Sequence, residues 1–119
     1  MKRQSLAELA RRIAQAFKSF HGFIYQRGLD DPKDVLTVVK SSGIGMLINN
    51  AALSQQYGIY ALLLNDRACR TECIYEKGCS PDDSECLNRC MEQCRSRIID
   101  RIVEALSSYA ERQHRAAKR

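Results

Sequence analysis

Apolar residues recur every three or four positions from the start of the chain. Leu6, Leu9, Ile13, Phe17, Phe20 and Ile24 fall on one helical face, and Ser5 with Glu8 forms a capping box ahead of them. Gly28 is a natural stop, so the spacing predicts one amphipathic helix over 5–27. Asp31 and Pro32 open a second helix as N-cap and first helical residue. Val35, Leu36, Val38 and Val39 fill it, and Ser41-Ser42-Gly43 breaks it. Residues 44–57 and 59–77 read as a third and a fourth helix. Ser80-Pro81-Asp82-Asp83 supplies an N-cap, a proline and two acids for a last helix running to about Arg112. Leu87, Met91, Cys94, Ile98, Ile102, Leu106 and Tyr109 are its expected buried stripe. No segment alternates with period two for long. The expected fold class is therefore all-α: a helical bundle with an N-terminal basic amphipathic helix and a disulfide-stapled C-terminal antiparallel helical hairpin.

The staples come from six cysteines, spaced Cys69-x3-Cys73-x5-Cys79-x6-Cys86-x3-Cys90-x3-Cys94. A spacing of four places successive cysteines on one helical face. If 59–77 folds back on the last helix, cross-hairpin partners keep an almost constant sum of residue numbers. Cys69 with Cys94, Cys73 with Cys90 and Cys79 with Cys86 satisfy this as three nested rungs. Pairing Cys69 with Cys90 and Cys73 with Cys86 strands Cys79 and Cys94 and ranks second. Zinc fits the x3 spacings only loosely, with neither His21 nor His114 near in sequence. A redox site would want Cys-x-x-Cys beside a strand–helix unit, which is missing. Paired Cys-x3-Cys motifs on a helical hairpin also resemble the small chaperones of the mitochondrial intermembrane space, over residues 69–94 only. That likeness reads as convergence on one stapling geometry.

Length and charge refine this picture. With 119 residues the chain is one domain, long enough for a modest core without staples. It divides into a basic N-terminal helical arm, 1–29, and a bundle, 30–119, that includes the hairpin 59–112 and the basic C-terminal tail. The net charge of +5 is unevenly spread, with two basic ends around an acidic middle. Glu8, Arg11 and Arg12 interrupt the apolar stretch a signal peptide would need, so secretion is not expected. The uncharged run Ser41 to Asn65 could span a bilayer by length. Its asparagines, glutamines and three glycines point instead to buried helical core. Six disulfide-forming cysteines without export suggest harsh conditions, as in hyperthermophiles or in particles that leave the cell.

The basic ends carry the candidate chemistry. Lys2, Arg3, Arg11, Arg12, Lys18 and Arg27 at one end, with Arg112, Arg115, Lys118 and Arg119 at the other, are candidate DNA-binding residues acting on the phosphate backbone. The bland alternative is a pair of solvated helix faces. No zinc finger, recognition helix or basic zipper is present, so any DNA contact is expected to be sequence-independent. No Gly-rich phosphate loop, HExxH or Ser/His/Asp set appears, so an enzyme, a cofactor, a metal and a small-molecule substrate are not expected.

A small helical chain, basic at both ends and disulfide-stapled without export, resembles the major capsid (nucleocapsid) proteins of filamentous double-stranded DNA viruses of hyperthermophilic archaea. The resemblance is architectural. It implies a virion subunit, assembled in the host cytoplasm, that pairs with itself or a homologous subunit as a dimer in a helical filament. Such a subunit would wrap DNA with 5–27 and face 59–112 outward, meeting a membrane only if the particle is enveloped. Two rivals remain: a cellular chromatin-type DNA-binding protein, and a stapled interaction or chaperone module with no nucleic acid role.

Overall fold

The computed structural model describes residues 5–117. It contains a sheet, which corrects the all-α expectation. The order is α1 (Leu6–Phe20), β1 (Gly22–Gln26), α2 (Pro32–Ser42), β2 (Ile48–Ser54), β3 (Ile59–Leu64), α3 (Arg67–Thr71), a π-helical segment (Glu72–Glu76) and α4 (Ser84–Ala117). The three strands are antiparallel in the order β1-β3-β2.

The starts of α1 and α2 follow their sequence signals, and that of α4 is shifted. Ser5 Oγ accepts from the Glu8 N–H at 3.1 Å, and Asp31 caps α2 through the Lys33 N–H with Pro32 in the first turn. The last helix opens later than expected. Ser80 to Asp83 close a turn (Asp83 N–H to the Ser80 carbonyl, 3.0 Å), and Asp83 accepts from the Cys86 N–H at 3.1 Å. The cap is therefore Asp83, and the helix runs on to Ala117.

The first helix stops early. His21 takes a left-handed conformation (φ 62°), its N–H donates to the Phe17 carbonyl at 3.0 Å, and Gly22 begins a strand. Phe23, Ile24 and Tyr25 are aromatic or β-branched and suit a pleated surface better than a helix end. The expected third and fourth helices are also replaced. Residues 48–64 form a β-hairpin, and helix begins again only at Arg67. Phe23, Leu62, Leu64 and Ile48 lie on one face of the sheet and are buried. Ile24, Ala61 and Leu63 lie on the other, where Ile24 and Leu63 are exposed.

The main core lies between that inner face and the helices. Leu9, Ile13 and Phe17 of α1 pack with Val35 and Val38 of α2 and with Ile102, Leu106 and Tyr109 of α4. The most extensive helix pairing is α1 on α4. Within the described residues, α1 and β1 thus belong to the same core as the elements that follow them. Leu36, Phe20 and Ile24, expected inside, are exposed. A second, smaller cluster of Cys73, Cys79 and Leu87 sits at the far end of the hairpin.

The cysteines pair as the ladder predicted: Cys69–Cys94, Cys73–Cys90 and Cys79–Cys86, with Cα separations of 5.7, 5.8 and 5.7 Å. No cysteine is left free as a thiolate ligand. The arm facing α4 is shorter than expected, being α3 and the π-helical segment. There the Lys77 N–H reaches the Glu72 carbonyl at 3.0 Å, one residue further back than in an α-helix.

Candidate nucleic-acid interface

Helix α1 fixes the geometry of the N-terminal basic set. Its apolar side is locked against α4, so its other side must face outward. Arg11 and Lys18 lie there, two turns apart, which is about 10 Å along the axis at 1.5 Å per residue. Both are exposed, and neither has an ion-pair partner among the described residues. Lys18 also occupies the last turn, where a cation suits the negative end of the helix dipole.

Arg12 points elsewhere. Its guanidinium donates to the Asp30 carboxylate and lies 5.3 Å over the Phe23 ring. Asp30 is the one buried charged residue among those described. Desolvation pushes the Arg12 pKa down, yet an arginine stays charged at neutral pH. Arg12 therefore neutralises a buried acid and ties α1 to the start of α2, which removes it from the set open to phosphate.

Arg27 stands at the end of the sheet. Its N–H donates to the Gly58 carbonyl at 2.9 Å, and its guanidinium lies 5.8 Å from the Tyr60 ring centre. Tyr60 stacks on Tyr25 at 5.4 Å, and Tyr25 on Phe23 at 6.1 Å. Burial, then the neighbouring Tyr60, push the Tyr25 phenol above its usual value. The strain-tolerant Gly58 (φ 68°) matters here, because a Cβ on it would come within 3.0 Å of the Arg27 Cβ.

Arg112 and Arg115 share a side of α4 near its C-terminus. Arg112 is close enough to the buried Tyr109 to favour its ionised form, and Arg115 lies 3.7 Å from Glu111 with both side chains exposed. Lys2, Arg3, Lys118 and Arg119 fall outside the described residues. The structure therefore groups Arg11 with Lys18 and Arg112 with Arg115, diverts Arg12, and holds Arg27 at the sheet end.

Sequence reasoning missed a further basic cluster on the hairpin. Arg67, Arg97 and Arg101 line an open groove of about 730 Å³ between α3 and α4, with Glu72 and Glu76 among them. Glu72 binds Arg97 at 2.8 Å, and Asp66 holds Arg95 through two bonds of 2.9 and 3.2 Å. That hydrogen bonding keeps the Arg95 pKa above its usual value against the opposing effect of burial. The i,i+4 spacing of Arg97 and Arg101 was the available signal. It was hidden because the acids around the hairpin dominate the local charge.

His21 and His114 are both exposed, at a helix cap and in the last turns of α4. Among the described residues no cluster of histidine, cysteine and acidic side chains could hold a metal ion, and no helix is long and apolar enough to cross a membrane. Comparison with protein-family models, curated proteins and solved structures gives no match to the chain.

Proposed function

We propose that the protein is a non-catalytic structural subunit that coats double-stranded DNA through its phosphate backbone, without reading sequence. The observation behind this reading is the outward side of α1. Arg11 and Lys18 stand about 10 Å apart on a rigid helix, free of acidic partners among the described residues. Arg27, Arg112 and Arg115 extend the set, and Lys2, Arg3, Lys118 and Arg119 belong to the same proposal from the two ends of the sequence. In its particle form the subunit lines a filamentous virion assembled in a host cytoplasm. The sheet removes the all-helical ground for likeness to the archaeal virus capsid proteins, so the proposal stands on the charge of the outward helix face.

Binding to a random-sequence duplex across a salt series tests it. Each lost phosphate contact should lower the slope of log affinity against log salt by about 0.9. Arg11→Glu with Lys18→Glu should weaken binding and flatten that slope while the fold is kept. Wild-type protein that ignores DNA at low salt defeats the reading. Electron microscopy of the protein with DNA tests the particle form, which requires regular filaments.

One observation favours an interaction module instead. Phe20, Ile24 and Leu29 are exposed around a shallow apolar groove of about 380 Å³ floored by Phe23. In that reading the groove takes an apolar partner segment and DNA is not bound.

A further inference from the structure

We propose that strand β2 is a self-association edge: two copies pair β2 against β2 about a twofold axis, joining their sheets into one of six strands. This inference goes beyond the DNA reading and stands without it.

In the order β1-β3-β2 the strand β2 is outermost, and among the described elements only β3 packs substantially against it. Its second row of backbone N–H and C=O groups therefore faces outward. Soluble proteins usually blunt such an edge with lysine, proline, a bulge or a covering element. The stretch Ile48 to Ser54 has neither charge nor proline. Its one irregularity, between Ala52 and Ser54, falls at the hairpin end and leaves Ile48 to Ala52 regular.

Charge decides which partner fits. All nineteen basic and fourteen acidic residues lie outside the run Ser41 to Asn65. Two copies of a chain with net charge +5 repel each other over most approaches, and this neutral strip is where they meet without like-charge contact. An antiparallel edge is also self-complementary about a twofold axis. A foreign partner would find no charged group on the strip to recognise.

Centred on Asn50, the pairing sets Ile48 of one copy opposite Ala52 of the other, and Asn49 opposite Ala51. These pairings keep inner-face residues with inner and outer with outer. They also bring Leu53 of each copy towards Leu47 and Met46 of the other. Met46 and Leu53 are 89% and 58% exposed in the single chain. Pairing gives these two side chains apolar neighbours.

Sedimentation velocity and light scattering on the oxidised protein, without nucleic acid, test the edge. At up to about 200 µM, well above the dissociation constant of an ordinary specific dimer, the mass should be twice the 13.5 kDa of one chain. The outward-facing amides within Ile48 to Ala52 should exchange more slowly as concentration rises. Asn50→Lys should weaken association about tenfold or more by placing two like charges at the axis, whereas Leu36→Lys on α2 should leave it unchanged. Intact disulfides and an unchanged circular dichroism spectrum establish that the variants fold. If Asn50→Lys does not fold, Leu53→Lys takes its place. A wild type that stays monomeric at 200 µM overturns the proposal, and so does a folded edge-lysine variant that dimerises as well as wild type.

Discussion

The two ends of α4 are held by different physics. Its C-terminal half lies in the main core, against Leu9, Ile13 and Phe17 of α1 and Val35 and Val38 of α2. Its first turns face a single short arm, and the buried residues there are Cys73, Cys79 and Leu87, while Cys69 and Cys94 already belong to the main core. Two disulfides, Cys73–Cys90 and Cys79–Cys86, span that poorer end, and Cys69–Cys94 joins it to the main core, with two arginine–acid pairs nearby. Two of the three staples sit where apolar burial is thin. This changes the meaning of the cysteines. A chain of this length needs no staples as a whole, but a two-stranded helical projection outside the core does. Harsh surroundings are not required to explain them.

Breaking the staples should give the largest effect. A bridge typically contributes about 2–4 kcal/mol, and nested bridges contribute less than their sum because they share one constraint. Reduction, or replacement of all six cysteines by alanine, should unfold residues 67–90 and leave the helix–sheet layer intact. Hydrogen exchange would show protection lost around Cys73 and kept in α1 and β3. Loss of protection everywhere would mean that the two halves form one cooperative unit.

Truncation inside each half sharpens the contrast. Phe17→Ala opens a cavity in the main core and should cost about 3–5 kcal/mol. Leu87→Ala should cost about 2 kcal/mol or less, the low end of the leucine range, because the staples bound how far the hairpin can open. Urea unfolding followed by far-ultraviolet circular dichroism measures both. Equal costs would remove the distinction between a packed and a stapled half.

Arg12 links α1 to the loop ahead of α2, and its loss tests the layer through charge. Arg12→Ala leaves the Asp30 carboxylate buried without its partner. The expected cost is about 1–3 kcal/mol, below that of a fully buried pair because Arg12 is itself 42% exposed at the side chain. Adding Asp30→Asn should recover most of it. If the double variant is no better than the single one, Arg12 acts through its contact with Phe23.

The stapled half was legible in the sequence and the sheet was not. Cysteines at helical spacing, with a proline turn between, define pairings that survive a change in the arm carrying them. In β3 the run Ile59 to Leu64 is almost wholly apolar, and such a run has no period to separate strand from helix. In β2 asparagine, alanine and serine give little strand preference. In β1 the three- and four-residue spacing from Phe17 through Phe20 to Ile24 continues in step past the true end at His21, so periodicity concealed the stop. The overlooked signal was Gly58 between two short runs, which marks the hairpin. The basic residues were readable as types and ends, but not the buried acid that diverts Arg12, because Asp30 lies far from it in sequence.

The smallest expected effect comes from Tyr109, and it separates the two halves by pH. Its hydroxyl is buried with no hydrogen-bond partner among the described residues. Burial raises its pKa above the usual value, Arg112 opposes this, and Asp34 reinforces it. The phenol therefore loses its proton more readily in the unfolded chain, near pH 10. Stability that is present below that pH should fall as pH climbs towards the folded pKa, and the half-buried Tyr25 adds to the same trend. Both tyrosines belong to the helix–sheet layer, so alkali should loosen that layer while the stapled hairpin persists. Tyr109→Phe removes an unsatisfied hydroxyl, so stability at pH 7 should stay level or rise by up to about 1 kcal/mol. Its decline above pH 10 should also be shallower than in wild type. Denaturant titrations at pH 7 and pH 10.5 measure both. A variant that loses more than 1 kcal/mol at pH 7 would show that the hydroxyl is bonded in solution, and an unchanged alkaline slope would assign the pH effect to Tyr25.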